Sequence, residues 1–100
     1  MTHLVLTKRA DEDLESLKSD HAQQGRYKKT LKTLGLLQTN RKHPGLNIHK
    51  LQSLSQPLDD GSSAELWEAY IENNTPNAWR VFFHYGIKDT ITVVAIQPHL

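Results

Sequence analysis

The sequence predicts an α+β fold in which an N-terminal strand and a two-helix hairpin pack on a small antiparallel sheet. A short apolar segment opens the chain, two stretches with apolar residues at helical spacing follow, and the second half shows the alternation that is typical of strands. The predicted order is therefore β-α-α-β-β-β-β. Because the strands cluster after the helices, we expect the helix pair to cover one sheet face and to leave the opposite face partly open.

The first strand and the first helix follow each other directly. His3 to Leu6 is apolar and too short for a helix, so it predicts a strand. Thr7 is expected to cap the helix, because its hydroxyl can accept a hydrogen bond from an early backbone N–H group. The helix is expected to end near Asp20. One apolar stripe along it consists of Ala10, Leu14 and Leu17.

The second helix is predicted to start at Gln24 or Gly25. Asn40 and the pair Pro44-Gly45 are expected to stop it, since these residues disfavour helix continuation. The basic residues of this helix are expected to point mostly away from the core. The residues expected to face the core are Tyr27, Leu31, Leu34 and Leu37.

Four strands are predicted after the helices, over residues 48–51, 67–72, 79–85 and 91–96. Residues rich in Pro, Asp, Gly, Asn and Ser separate them at 56–63, 73–77 and 86–89. In the third of these strands, alternation places Val81, Phe83 and Tyr85 on one face and Arg80, Phe82 and His84 on the other. The continuous β-branched run of the last strand predicts that both of its faces are covered.

The composition predicts one compact domain that spans residues 1–100. A chain of this length with 37% hydrophobic residues is expected to build a single core. It has no cysteine, so disulfide bonds and thiolate zinc ligands are not available to it. The first residues lack the apolar run of a signal peptide, and no segment approaches the roughly 18 apolar residues of a membrane span. We therefore expect a soluble, cytoplasmic protein.

The charges are unevenly distributed along the chain although the net charge is only +1. Residues 21–58 contain no acidic residue, whereas all eleven acids lie before or after this segment. Such a segment is expected to attract phosphates or an acidic protein segment. The alternative is an ordinary solvated helix face. The basic residues of the segment are Arg26, Lys28, Lys29, Lys32, Arg41, Lys42 and Lys50.

Motifs for metal or cofactor chemistry do not occur in the sequence. It has no Gly-rich phosphate loop, no nucleophile elbow and no HExxH motif. The histidines do not have the close spacing of a dedicated metal site. We therefore expect neither a metal nor a cofactor.

Three basic side chains are candidates for chemistry. Arg80 is expected on the open face, where its fork of donors suits a phosphate or a developing oxyanion, although an ion pair with Glu68 or Glu72 is an equally common arrangement. His84 is expected on the same face, either as a proton shuttle or as a plain surface residue. His99 follows the last strand and is either a general acid or base or a loosely ordered terminal residue.

Four segments in this order resemble a toxin of the RelE/ParE superfamily. They are Leu4-Val5-Leu6-Thr7-Lys8-Arg9-Ala10, Leu66-Trp67-Glu68-Ala69-Tyr70-Ile71, Trp79-Arg80-Val81-Phe82-Phe83-His84-Tyr85 and Ile91-Thr92-Val93-Val94-Ala95-Ile96. The resemblance implies a small sheet with an N-terminal helical hairpin. It also implies an activity: RelE, YoeB and HigB-like members cut messenger RNA in the ribosomal decoding site. They use no metal, and a 2′-hydroxyl attacks the adjacent phosphate. Members of the ParE branch act on DNA gyrase instead.

The resemblance assigns roles to two residues. Arg80 matches the arginine of the family's "Arg-aliphatic-x-aromatic" strand and would stabilise the negative charge that grows on the phosphate. His99 matches the histidine near the C-terminus of the YoeB-like members and would donate a proton to the leaving 5′-oxygen. The tyrosine that follows it in those members is Leu100 here.

The resemblance also shows departures from the family's pattern. Glu68 and Tyr70 occupy strand positions where RelE-like enzymes carry basic residues. The glutamate base expected ahead of that strand has no counterpart, because residues 43–56 contain no acid. His49 or Lys50 is a candidate to replace it.

The expected function is therefore that of a type II toxin, a ribosome-dependent and metal-independent mRNA endonuclease. Its implied partners are a cognate antitoxin, the ribosome and mRNA. Residues expected to bind RNA are Lys28, Lys29, Lys32, Arg41, Lys42, Lys50 and His84. The alternatives are a ParE-like gyrase inhibitor, a catalytically silent protein-binding module with the same fold, and direct nucleic-acid binding through residues 26–50.

Overall fold

The computed structural model describes residues 2–57, 63–73 and 77–99, with the backbone alone for 52–57 and 63. The elements are β1 (His3–Leu6), α1 (Lys8–Ser19), α2 (Gln24–Thr39), β2 (His49–Pro57), β3 (Ser63–Tyr70), β4 (Arg80–Tyr85) and β5 (Thr90–Gln97). Short 3-10 turns cover His21–Gln23 and Pro44–Leu46. The predicted α+β class and the predicted order of elements are confirmed.

The five strands form one sheet in the order β1-β5-β4-β3-β2. Three of the four pairs are antiparallel, but β1 pairs with β5 in parallel, from His3 opposite Thr90 to Leu6 opposite Val93. The expectation of antiparallel pairing throughout does not hold for this one pair. The reason is that no hairpin joins β1 to β5; the rest of the chain forms the long connection that parallel strands need.

Helix α1 begins and ends as predicted. The Ala10 N–H group donates to Thr7 Oγ1 over 3.2 Å, and Asp20 caps the other end. Ala10 and Leu17 are buried, and Leu14 packs against the same core. Thr7 N–H also donates to the carbonyl of Val93, so the cap ties the start of the helix to β5.

Helix α2 begins at Gln24 and ends before Asn40, as predicted, but one of its predicted core residues is wrong. Leu34 and Leu37 are buried, whereas Leu31 is 44% exposed. The buried positions one turn earlier are threonines, at 30 and 33. Each of these hydroxyls donates to the carbonyl four residues before it, so its burial leaves no polar group unpaired.

Strands β2 and β3 differ from their predicted bounds. β2 runs six residues beyond the predicted 48–51, and β3 starts at Ser63 inside the predicted loop and ends at Tyr70. Their pairing explains the extension, because the register continues to Pro57 opposite Ser63 after an irregularity between Lys50 and Ser55. Strands β4 and β5 agree with prediction to within one residue at each end.

The two faces of the sheet are covered unequally. The helices bury one face, where Ala69, Val81, Phe83, Ile91 and Val93 pack with Leu17 and Leu37. The opposite face carries a smaller apolar cluster of Leu66, Phe82, Val94 and Ala95, with Leu51 against it. This second face, called the open face below, is therefore apolar in part, and its polar side chains lie beside that cluster. No helix in the described ranges is long and apolar enough to cross a membrane.

Candidate functional site

Arg80 opens β4 and lies on the open face, opposite Tyr70 of β3 and Gln97 of β5. Its guanidinium carbon lies 5.0 Å from the centre of the Tyr70 ring. Its Nη1 is 3.6 Å from Oε2 of Glu68, a distance that allows an ion pair but is too long for a hydrogen bond. Arg80 thus makes the ion pair with Glu68 that was the alternative to a phosphate site. Its donors are still not hydrogen-bonded to that carboxylate.

Glu68 is a carboxylate under the open surface, with a relative exposure of 3%. It lies between His49 of β2 and Phe82 of β4 in the sheet register. Its Oε1 contacts Nε2 of His49, and its Oε2 faces Arg80. An isolated buried carboxylate would be very costly, so the two basic side chains explain how Glu68 is tolerated there.

His49 has two different environments at its two ring nitrogens. Nε2 faces the buried carboxylate, whereas Nδ1 lies 3.0 Å from the carbonyl oxygen of Asn47 on the solvent side. The side chain is 48% exposed, and its ring lies 5.6 Å from that of Tyr70. Both ring nitrogens therefore face hydrogen-bond acceptors, the Glu68 carboxylate at Nε2 and the Asn47 carbonyl at Nδ1. We call His49, Glu68, Tyr70 and Arg80 the Arg80 cluster.

Three buried polar atoms of the described side chains lack a hydrogen-bond partner: Glu68 Oε2, Arg80 Nε and His84 Nδ1. Buried polar groups in proteins are nearly always paired, so each such atom calls for an explanation. Two of the three belong to the Arg80 cluster. An anion that accepted from Arg80 Nε would remove one of these deficits, whereas Glu68 Oε2 would still need a hydrogen-bond donor.

His84 lies on the same face as Arg80, as the alternation predicted, but not beside it. Phe82 separates the two along β4 and is almost fully buried in the apolar cluster. Four residues of strand span roughly 13 Å. His84 is therefore outside the Arg80 cluster.

His99 leaves the sheet at the same end as Arg80. Gln97, the last residue of β5, is the register partner of Arg80. The Gln97 amide donates to the carbonyl of His99 over 2.7 Å and accepts from Arg9 over 2.6 Å. The tail is thereby tied to α1 and to the Arg80 end of the sheet, and the His99 side chain is exposed.

The cations that were predicted to bind RNA do not form one patch. Lys28, Lys29 and Lys32 are exposed on α2. Lys50 pairs with Glu65 over 3.1 Å. Arg41 lies 3.5 Å from Asp89 and over the Tyr85 ring, and Arg41 and Lys42 line a pocket at that end of the sheet. Arg26 likewise pairs with Glu72. Three basic residues of the acid-free segment therefore pair with acidic residues from other parts of the chain.

The sequence reasoning underrated two residues of the site. Glu68 was interpreted as one of two alternative ion-pair partners of Arg80 and as a departure from the family's pattern, and His49 was one of two candidates to replace a missing base. Alternation along the strands was the available signal: it places Glu68, Tyr70 and Arg80 on one face. It also separates His49 from Lys50, whose register partner is Trp67 on the other face.

Metal-binding geometry is not found among the residues that the structure describes. In those ranges, no three side chains of the types His, Cys, Asp and Glu come together as a metal site.

The chain resembles several solved structures over nearly its whole length. No protein-family model matches it, and no curated protein sequence matches it. The YoeB dimer from Staphylococcus aureus is 14% identical, with a TM-score of 0.65, over 99% of this chain and 98% of that one. A metal-bound toxin from Helicobacter pylori is 18% identical, with a TM-score of 0.63, over 99% and 96%.

A third similar structure is YafQ from E. coli, at 14% identity and a TM-score of 0.59, over 97% of this chain and 92% of that one. At such identities the likeness concerns the fold, and it extends from the first strand to the last. The chain therefore has the fold of the RelE/ParE toxins that its sequence resembles.

Proposed function

We propose that this protein is the toxin of a type II toxin–antitoxin pair and that it cuts messenger RNA on the ribosome without a metal. The shared fold supports the toxin role. The observation that carries the endonuclease role is the Arg80 cluster, where a guanidinium with an unpaired buried Nε lies beside an imidazole on the open face. The partners that belong to this proposal are a cognate antitoxin, the ribosome and mRNA, and the place of action is the cytoplasm.

Arg80 is the residue that binds the phosphate in this proposal. The Arg80 side chain is 19% exposed and Glu68 Oε2 lies 3.6 Å from Nη1, so the exposed part of the guanidinium can meet phosphoryl oxygens, whereas the buried Nε meets them only after the side chain moves. In-line attack of a ribose 2′-oxygen on phosphorus places a growing negative charge on those oxygens. Donors that are already held in place stabilise this charge without reorganising during the reaction.

His49 and His99 are the proton-transfer residues in this proposal. His49 is the candidate base in this proposal: it takes the proton of the 2′-hydroxyl at Nδ1 after that nitrogen has given up its own proton and its 3.0 Å contact with the Asn47 carbonyl, while Nε2 stays against Glu68. His99 gives a proton to the 5′-oxygen as its bond to phosphorus breaks. The products are a 2′,3′-cyclic phosphate and a 5′-hydroxyl end. Lys50, the other candidate base, is engaged by Glu65.

Contacts to the rest of the RNA come from Lys28, Lys29 and Lys32 of α2 in this proposal, since these cations are exposed and have no acid among their described partners. Arg41, Lys42, Lys50 and His84 stay predictions as RNA contacts.

The test compares Arg80→Lys with the wild type in a translating extract to which purified protein is added. Lysine keeps the charge beside Glu68 but loses the planar fork, so the cleavage rate is expected to fall about a hundredfold while the fold persists. The readout is the rate at which new 5′ ends appear on the translated mRNA. Arg26→Lys is the matched control, because Arg26 also pairs with a carboxylate and lies over an aromatic ring.

Three outcomes contradict the proposal in different ways. Equal rates for wild type and Arg80→Lys remove Arg80 from the reaction. Absence of cleavage together with inhibition of gyrase supercoiling indicates a ParE-like protein. Absence of both activities, with growth unaffected on expression, is the result expected of a protein-binding module.

A further inference from the structure

The last residues of β5 are held by side chains of α1. In the described sheet, β1 accompanies β5 only as far as Leu6 opposite Val93. Beyond that point Asp13 of α1 takes over, because its Oδ2 accepts a hydrogen bond from the Ile96 N–H group over 2.9 Å. Ile96 itself is buried. Helix α1 therefore fixes the end of β5 after the pairing with β1 has stopped.

Gln97 connects α1 to the residues that follow β5. Arg9 Nη2 of α1 donates to Gln97 Oε1 over 2.6 Å, and Gln97 Nε2 donates to the carbonyl of His99 over 2.7 Å. Pro98 lies between the two and has a fixed φ, which limits the conformations of this short connection. The backbone at His99 is therefore tied to α1 through one amide group.

The chemistry of the two contacts specifies an amide at position 97. A guanidinium can only donate hydrogen bonds, and a backbone carbonyl can only accept them. The side chain between them must therefore accept on one side and donate on the other, as glutamine does. Arg9 also decides which way the amide is turned, because Oε1 is the only end that can accept from it.

This contact lies next to the guanidinium that binds the phosphate in the proposed function. Gln97 and Arg80 are register partners in the antiparallel pair β4–β5. Side chains at such positions point to the same face and have Cβ atoms about 5 Å apart. His99 follows two residues later, so its backbone lies within roughly 7 Å of that of Gln97. The amide thus restrains His99 at the Arg80 end of the sheet.

We propose that Gln97 is a positioning residue for cleavage, which holds His99 beside the phosphate site, and that Arg9 keeps the Gln97 amide in the orientation that this requires. The inference rests on the proposed function, in which His99 gives a proton to the leaving 5′-oxygen. A proton donor that leaves its position slows the chemical step and does not weaken binding of the RNA.

The experiment measures kcat and KM for mRNA cleavage on purified ribosomes loaded with one mRNA. Gln97→Met keeps the size of the side chain but removes both hydrogen bonds. It is expected to lower kcat about fivefold with KM unchanged, since one hydrogen bond shifts the population of an ordered segment by about that factor. Gln23→Met is the matched control, because Gln23 also accepts from an arginine over 2.6 Å but lies before α2. Equal kcat for Gln97→Met and the wild type overturns the proposal.

A double-mutant cycle tests whether Gln97 acts through His99. In a His99→Ala background, Gln97→Met is expected to have no further effect on kcat, because the group that it positions is already missing. The same fivefold loss in both backgrounds would show that Gln97 acts by another route, and the proposal would be wrong.

The role of Arg9 is tested with two neighbouring cations of α1. Arg9→Ala and Lys8→Ala each remove one exposed positive charge from the first turn. Only Arg9→Ala is expected to lower kcat, by a factor no larger than that of Gln97→Met. Equal losses for the two variants would mean that charge matters there and the orientation of the amide does not.

NMR relaxation of the free protein measures the position of His99 without any cleavage. The backbone amide of His99 is expected to be as ordered as those of β5 in the wild type and in Gln23→Met, and to lose that order in Gln97→Met. Circular dichroism checks folding, and Gln97→Ala replaces Gln97→Met if the latter does not fold. Unchanged order of His99 in the variant overturns the proposal.

Failure of the proposed function and failure of this inference give different results. A wild-type protein that does not cut mRNA refutes the proposed function and the catalytic part of this inference, whereas relaxation still decides whether Gln97 holds His99. A protein that cuts mRNA equally well with and without the Gln97 amide refutes this inference alone.

Discussion

At the scale of single residues, Glu68 determines how the open face is organised. Its carboxylate is shielded by the apolar cluster and contacts two basic side chains from the strands on either side. Burial of one unpaired charge would cost several kcal/mol, whereas a carboxylate between an arginine and an imidazole is compensated in part. Glu68 therefore positions Arg80 and His49 relative to each other, and it does so from beneath the surface.

Glu68→Gln is expected to lower the free energy of unfolding by about 2 kcal/mol. Glutamine keeps the shape but leaves Arg80 without its carboxylate. The measurement is urea denaturation, with an unchanged dependence on urea concentration as the sign that the native state keeps its compactness. Glu65→Gln on the same strand removes the carboxylate of an exposed pair with Lys50 and is expected to cost below about 0.5 kcal/mol. Equal losses for both variants contradict the positioning role of Glu68.

At the scale of elements, α2 shows which properties of a helix its apolar spacing can predict. The spacing correctly predicted its start, its end and the burial of Leu34 and Leu37. It did not choose between Leu31 and Thr30, which lie side by side on the helix surface. The contact with the sheet made that choice, and a threonine whose hydroxyl donates to the helix backbone fits the closer position.

Leu37→Ala is expected to cost about 3 kcal/mol of unfolding free energy, because Leu37 is fully buried between α2 and the sheet. Leu31→Ala removes the same atoms from an exposed position and is expected to change stability by less than about 0.5 kcal/mol. Urea denaturation of the two variants provides the comparison. Similar losses would mean that Leu31 is in the core after all.

Thr7 joins the first strand to the first helix, since its hydroxyl accepts from Ala10 N–H and donates to the carbonyl of Val94. Thr7→Ala is expected to destabilise the protein by about 1 kcal/mol through loss of the cap. Thr7→Ser keeps the hydroxyl and serves as the control in thermal melting. A serine variant that melts as early as the alanine variant would show that the methyl group matters and the cap does not.

At the scale of the whole molecule, the parallel pair β1–β5 brings the two ends of the chain together. The first strand adds to the last one, and α1 then packs across β5. Because β1 pairs only with β5 in the described sheet, the sheet is complete only when both ends of the chain are in place. We expect residues 1–100 to unfold as one cooperative unit.

The unfolding prediction is tested with two probes of different regions. Tryptophan fluorescence reports on Trp67 in β3 and on Trp79, which lies under Arg26 of α2, whereas far-ultraviolet circular dichroism reports mainly on the helices. The two transitions are expected to coincide in urea and to shift together in Leu37→Ala. Separate midpoints would contradict the prediction of a single domain.

Local sequence determined the class, the order of elements and the face on which each residue of β4 lies. These properties depend on neighbours within a few residues: capping by Thr7, helical spacing in α1 and α2, and alternation in β4. The same local information predicted that Arg80 and His84 share a face, and the structure agrees.

Only the tertiary structure decided which polar side chains meet. Arg80, Glu68 and His49 come from three neighbouring strands, and their contacts depend on strand register and on the order β5-β4-β3-β2. The acid-free segment likewise looked unpaired in sequence, yet Arg26, Arg41 and Lys50 each reach a carboxylate from another element. The physical reason is that electrostatic interactions act across space over a few ångströms, whereas periodicity records only positions along the chain.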